Sequence, residues 1–283
     1  MTDALDVAVE DIRLHARRVL REAGVGDQLP VPIDAIAAAV DLEKGELFAL
    51  EDDVPPELQV VVAKLKGTVL GALSVDERRY FVDPSLPVER RRFTEAHEIG
   101  HDALPWHAQA YFAEDHTTLT SNTRVLLEAE ANQFAAEILF SADRFNDEAD
   151  GHAPSIDVPL RMNGAYQTSA AAALRRYVTN SRRPLALLAT GLKQSRLGHL
   201  PIYEASCQSV SFQAKFGAVR SLYSKWLGPE QYPMVRTLSP LYRGTIAEAD
   251  ISLQTTRGHV RLIAEGFGNG HNGFVLLRER SGK

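Results

Sequence analysis

The 283-residue chain has a single cysteine, Cys207, so no internal disulfide can form and a reducing compartment is expected. It also lacks long hydrophobic runs. The longest, such as Ile36 to Val40 and Leu185 to Ala189, fall far short of the roughly 20 residues that span a bilayer. Positive charge is not in excess either: the formal net charge is −6, which argues against a chain whose main task is coating nucleic acid. The N-terminus, MTDALDVAVEDIRLHARR, has no basic-then-apolar order and so does not read as a signal peptide. Internal repeats and low-complexity tracts are missing too. These absences lead to the expectation of a soluble, cytoplasmic protein with no membrane partner. What is present, 45% hydrophobic and 24% charged residues, is ordinary for a globular protein, and the length allows about two domains.

One stretch departs from this ordinary background. Phe93 to Leu104 reads FTEAHEIGHDAL, and His97, Glu98 and His101 within it form the pattern His-Glu-x-x-His. On a helix, positions i and i+4 share a face, so both imidazoles can converge on one ion, with Glu98 beside them as a general base toward water. Phe93, Ala96, His97, Gly100, His101 and Leu104 form one continuous helical stripe, which turns the histidines inward and leaves Arg90, Arg91, Glu95 and Asp102 off it. Gly100 costs about 1 kcal/mol of helix propensity relative to alanine, so something is expected to pack close to the backbone there. Pro105 is expected to stop the helix at Leu104.

The rest of the chain frames this motif. Leu5, Val9, Ile12, Ala16, Val19, Leu20 and Ala23 predict a first helix closed by Gly24, and Pro32 opens a short second one through Val40. Glu46 to Leu50 and Leu58 to Leu65 read as strands around an acidic, proline-containing turn. Gly71 to Val75 and Arg79 to Val82 read as a hairpin around Asp76 and Glu77. Trp106 to Asn122 reads as an irregular excursion with a short strand at Tyr111 to Ala113, before a helix over Arg124 to Phe140. Ser141 to Pro159, rich in Asp, Gly, Pro and His, reads as a loop or linker, and Thr168 to Val178 as a short helix. Farther on, Ile251/Leu253, Val260/Leu262/Ala264 and Phe274/Leu276 alternate as strands, and a helix is expected at Lys215 to Leu227.

A hydrolytic zinc site wants a third protein ligand, and the helix after the excursion offers Glu128, Glu130 and Glu137. Glu128 lies on a stripe with Val125, Ala129, Asn132, Ala135, Ala136 and Leu139. Glu130 and Glu137 lie on the flank with Phe134 and Ile138. His107 and His116 compete from the excursion, where each reads more simply as a surface histidine. Against a coincidental match stands a cost: two imidazoles and a carboxylate buried without partners are expensive, whereas one metal ion satisfies them together. A groove bordered by the Arg79 to Val82 strand could hold an extended peptide by strand addition. Tyr111, His116 and Tyr166 are candidates for stabilising the oxyanion.

Together, FTEAHEIGH at 93–101 and EAEANQFAAEIL at 128–139 resemble the metal helix and the following helix of the ImmA/IrrE family of bacterial metallopeptidases. Gly71 to Ser85, ending YFVDPS, is similar to the hairpin before that family's metal helix, and Thr168 to Leu188 is similar to its small helix-turn-helix-like second domain. The resemblance covers Ile33 to Leu188. Phe140-Ser141 stands where the family has Met-Pro, and Ser206 to Lys283 has no clear counterpart. The resemblance implies His97, His101 and Glu128 as ligands of zinc, or of manganese on the same set, and Glu98 as catalytic base. It also implies a helix-turn-helix repressor as the protein substrate, whose cleavage relieves repression.

The expected architecture is α+β in three parts. Residues 1–145 form a His-Glu-x-x-His metallopeptidase domain with a small antiparallel sheet, 146–195 a small helical domain, and 196–283 a strand-rich mixed domain of unassigned role. Two rival readings remain. One is a non-proteolytic regulator or antirepressor that binds a repressor, or DNA through Arg175-Arg176 and Arg182-Arg183; such paired arginines more often form a solvated face, so direct DNA contact is not the primary expectation. The other is an interaction partner with a structural metal, for which the base Glu98 would be superfluous.

Overall fold

The computed structural model describes residues 2–46, 69–107, 121–189, 204–219, 233–238 and 242–280. Helices and two small sheets make an α+β protein, and chain contacts divide it into two compact units. The first comprises 1–144 with 165–169, the second 145–164 with 170–283.

In the first unit, α1 (Thr2–Glu22) turns Ile12, Ala16 and Val19 inward, each at most 1% exposed, and Gly24 follows it in the left-handed region at φ 62°. Pro32 stands at the N-cap of α2 (Ile33–Ala39), its carbonyl accepting from the Ala35 and Ile36 N–H groups. The expected hairpin is present as β2 (Gly71–Ser74) and β3 (Arg79–Val82), turning through Val75 to Arg78. β1 (Glu43–Glu46) adds to the far side of β3 in parallel, so the sheet is mixed, in the order β1-β3-β2, rather than antiparallel throughout. The strands expected at 46–50 and 58–65 lie outside the described residues apart from Glu46, which ends β1.

Asp83 accepts from Ser85 N–H and Oγ–H at 2.9 and 2.7 Å, a local turn that stops β3 before α3 (Val88–Ala103). Helix α4 (Ser121–Leu139) packs against α3, and the contact runs through Gly100: a Cβ there would lie 3.0 Å from Phe134 Cδ1 and 3.3 Å from the Ala131 carbonyl oxygen. That close approach is the physical reason for a glycine mid-helix. Ile99, Leu104, Phe134 and Ile138, all 0% exposed, join the α1 and α2 residues in one core.

Burial adds two details about the faces of these helices. Glu95 is buried, 4% exposed, because Lys44 on β1 reaches it at 2.5 Å. On α4 Leu127, Ala131, Phe134, Ala135, Ile138 and Leu139 are buried and Val125 is 69% exposed, while Glu128 and Asn132, though exposed, reach His97 on α3.

The second unit corrects the sequence reading more. The stretch 141–159 is not a plain loop: α5 (Arg144–Asp150) lies within it, and α6 (Asp157–Tyr166) begins there. Pro159 falls in the first turn of α6, where a missing N–H costs no hydrogen bond. Helix α7 (Ala170–Thr179) forms as expected, but Leu185 to Ala189 is strand β4, so 168–188 is helix then strand rather than helix-turn-helix. β4 joins β5 (Glu204–Gln208), β6 (Arg243–Thr255), β7 (Gly258–Asn269) and β8 (Gly273–Arg278) in an antiparallel sheet of order β5-β4-β8-β7-β6. Residues expected as a separate helical domain therefore share a sheet with the C-terminal strands.

Of the helix expected at 215–227, only 215–219 can be compared, and Lys215 and Phe216 there end an earlier helix. It is α8 (Val210–Phe216), started by Ser209 accepting from Phe212 N–H at 3.1 Å and stopped by Gly217 at φ 78°. Residues 220–227 lie outside the described residues. A buried ion pair, Glu265 with Arg278 at 2.6 Å, ties β7 to β8, and Glu265 also accepts from Ser155 Oγ–H and Ile156 N–H at 2.8 Å.

Candidate metal centre

Helix α3 delivers His97 and His101 from adjacent turns, and α4 delivers Glu128 opposite them. His97 Nε2 lies 3.2 Å from His101 Nε2 and 3.2 Å from Glu128 Oε2, and His101 Nε2 lies 3.5 Å from Glu128 Oε1. The three form a group whose ligand-type atoms all lie within 4.8 Å of one another. A tetrahedral ion with bonds of about 2.0–2.2 Å spaces its nitrogen and oxygen ligands about 3.3 Å apart, so the observed spacing suits one.

Hydrogen bonds behind the cluster fix the tautomers. Asn132 Oδ1, an acceptor, lies 3.1 Å from His97 Nδ1, so that nitrogen carries the proton and Nε2 presents a lone pair. Behind His101, its Nδ1 meets His107 Nδ1 at 3.1 Å, and His107 Nε2 meets Glu130 Oε2 at 3.0 Å. The same Glu130 oxygen accepts from Trp106 Nε1–H at 2.7 Å. Lone pairs of two imidazoles and a carboxylate thus converge with no hydrogen between them. One cation shared by all three satisfies such a meeting of acceptors.

The electrostatics agree. Burial, then the neighbouring His97 and His107, push the His101 pKa down to about 3, which keeps its imidazole neutral. Glu98 moves the other way: burial, then the Glu128 charge, raise its carboxyl to about 7. Burial lowers His107 against the pull of its Glu130 hydrogen bond.

Glu98 points to the small sheet. A Cβ on Gly71 of β2 would sit 2.5 Å from Glu98 Oε1 and 2.5 Å from Thr94 Cγ2, so a larger residue there would push the carboxylate from this position. A cleft of about 870 Å³ opens over these residues, within the range typical of ligand sites. Leu70, Gly71, Leu73, Ser74, Phe93 and Arg90 line it together with His97, Glu98, His101 and Glu128. The bordering strand is β2, not β3: β3 has partners on both sides, whereas β2 pairs on one side only among the described residues.

The structure brings together His97, Glu98, His101 and Glu128. It sets Glu130 behind His101 and Glu137 away with Arg13 and Gln133, at 3.4 and 2.8 Å. His107 is 0% exposed and not a surface residue; it lies in a helical turn over 105–107 that starts at Pro105. Tyr166 is buried in the core beside Phe140, outside the cleft lining, and Tyr111 and His116 lie outside the described residues. Asn132 and Gly71 escaped sequence reasoning as site residues, although a polar side chain one turn beyond Glu128 was a usable signal. Of the paired arginines, Arg182 bonds Asp147 and Arg183 the carbonyls of Asp150 and His152, and Arg176 is buried.

Comparison with known proteins gives three findings. The family model for the IrrE N-terminal-like domain, of the peptidase M78 type, matches residues 58–177. No curated protein matches the chain. Among solved structures, a Mycobacterium tuberculosis transcriptional regulator is similar in fold, with a TM-score of 0.54 at 15% identity over 95% of this chain and 75% of that one. No described helix is long and apolar enough to cross a membrane.

Proposed function

Since residues 58–177 belong to the IrrE N-terminal-like peptidase family, we propose that this chain is a metal-dependent endopeptidase acting on a protein substrate. One observation carries the reading: three ligand-type side chains converge with their lone pairs inward, and the half-buried Glu98 carboxylate shares their cleft. His97, His101 and Glu128 would hold zinc, or manganese on the same donor set. The bound ion would supply Lewis acidity toward a scissile carbonyl and ease loss of a proton from water.

The chain's own residues do the rest. Glu98 takes the proton from the attacking water and returns it to the leaving amine nitrogen. Asn132 holds the His97 ring in the tautomer that presents Nε2. The edge of β2 that has no partner among the described residues offers backbone groups for an extended peptide, and Leu70, Leu73 and Phe93 offer apolar contacts for its side chains. A helix-turn-helix repressor, cut so that repression is relieved, is the substrate class consistent with the family, and the cytoplasm is where it would be met.

The test incubates the zinc-loaded chain with a helix-turn-helix repressor encoded beside it and follows fragments by mass spectrometry. A discrete cut is expected, lost on adding chelator and lost in Glu98→Gln, which should keep both metal and fold. Undiminished cleavage by Glu98→Gln overturns the mechanism. Stable binding of the repressor without any cut turns the reading to an antirepressor.

A further inference from the structure

We propose that His107 and Glu130 are positioning residues that orient His101 for metal through a one-way chain of hydrogen bonds anchored by Trp106. This inference deepens the proposed function and rests on it.

The direction follows from donor chemistry at each link. The Trp106 indole N–H can only donate, so Glu130 Oε2, 2.7 Å away, accepts. That oxygen also lies 3.0 Å from His107 Nε2, and as an acceptor it requires Nε2 to carry the proton. The neutral His107 ring then has only its Nδ1 lone pair left, and this faces His101 Nδ1 at 3.1 Å. His101 must therefore donate from Nδ1, which leaves its Nε2 as the lone pair aimed at His97 and Glu128. Reversing any link would place a proton on His101 Nε2 and close it to a metal.

Burial makes the chain costly to break. His107 is 0% exposed and Glu130 8%, so neither can exchange its partner freely for water. A purely packing role would need neither polarity nor this order. Carboxylate or carbonyl partners behind a ligating histidine typically change metal affinity 10–100-fold when removed. Here a second imidazole is interposed, which carries the carboxylate's orienting effect to a ligand it does not touch.

The experiment measures zinc affinity by chelator competition, and cobalt absorption spectra, for wild type, His107→Leu, His107→Asn and Glu130→Gln. Leucine removes the acceptor, whereas the asparagine side chain can place one near the lost Nδ1. His107→Leu should bind zinc at least about tenfold more weakly with an altered cobalt spectrum, and His107→Asn should recover most of the loss. Glu130→Gln should weaken binding several-fold while the metal-free protein melts near wild type, which keeps the proposal testable even if the leucine variant does not fold. Equal loss in the Leu and Asn variants would reduce His107 to packing and overturn the proposal, as would unchanged affinity in Glu130→Gln. Absence of zinc binding in the wild type itself would instead remove the proposed function.

Discussion

Glu98 meets two opposing demands, because burial favours its neutral form and general-base work needs the anion. In metal-free protein its carboxyl is raised to about 7, first by burial and then by Glu128, whereas an unfolded chain releases that proton near its ordinary range. The folded state therefore binds more protons than the unfolded one between about pH 4.5 and 7, and stability falls as pH rises through that window. His101 contributes with the opposite sign: its pKa of about 3 in the fold makes stability fall as pH drops below the usual imidazole range. Metal-free Glu98→Gln should thus be more stable than metal-free wild type at pH 8, by on the order of 2–3 kcal/mol. The gap should close near pH 4.5. Thermal melts at the two pH values check it, and a gap independent of pH contradicts it. Gly71 governs the same carboxylate from the strand side. Gly71→Ala would drive a methyl group to within 2.5 Å of Glu98 Oε1, so turnover should fall about 100-fold or more while zinc stoichiometry stays at wild type. Full activity in this variant would show that Glu98 is not held where the cleft places it.

At the scale of elements, the site depends on how closely α3 and α4 approach. Gly100 sets that distance, since any Cβ meets Phe134 and the Ala131 carbonyl. Gly100→Val should destabilise the protein by about 1–3 kcal/mol through overpacking, and should weaken metal binding because Glu128 reaches the histidines across this interface. Chemical denaturation paired with zinc titration measures both; stability equal to wild type would mean the helices pack otherwise. Elements with strong period or punctuation were legible in the sequence: α1, α3, the hairpin β2–β3 and the strands β6 to β8. The metal helix was legible because its ligands share a stripe with apolar residues. Elements that failed did so for local reasons. β4 is buried on both faces, so LALLA carries no alternation to distinguish strand from helix. Helices α5 and α6 are short and hold Asp, Asn and Pro within their first turns, a composition shared with loops. Helix α8 is bounded by the Ser209 cap and the Gly217 stop, both short polar or glycine signals that the apolar residues around them obscure.

For the whole molecule, the division into two units does not follow chain order. Residues 145–164 belong with the second unit, and the chain then returns 165–169 to the first. Tyr166 makes that return: it is 0% exposed and its ring lies 6.1 Å from that of Phe140. Tyr166→Ala should therefore cost about 3–5 kcal/mol in the unit that holds the candidate metal centre, though the residue lies beyond that unit's main segment. Denaturant unfolding monitored by zinc release would register it, and an unchanged midpoint would contradict the assignment. This interleaving could not be read from the sequence, because composition marks loops and helices but not which core a returning segment rejoins. The candidate ligands were legible at long range only through the family resemblance; periodicity alone left Glu128, Glu130 and Glu137 open.

The most direct test is zinc binding by the purified chain, measured by equilibrium competition against a chelator of known affinity. One equivalent should bind wild type tightly, and Glu128→Ala, His97→Ala and His101→Ala should each weaken it by about two orders of magnitude or more without unfolding the metal-free protein. A wild type that takes up no zinc or manganese, or one whose affinity is indifferent to all three substitutions, would contradict the account.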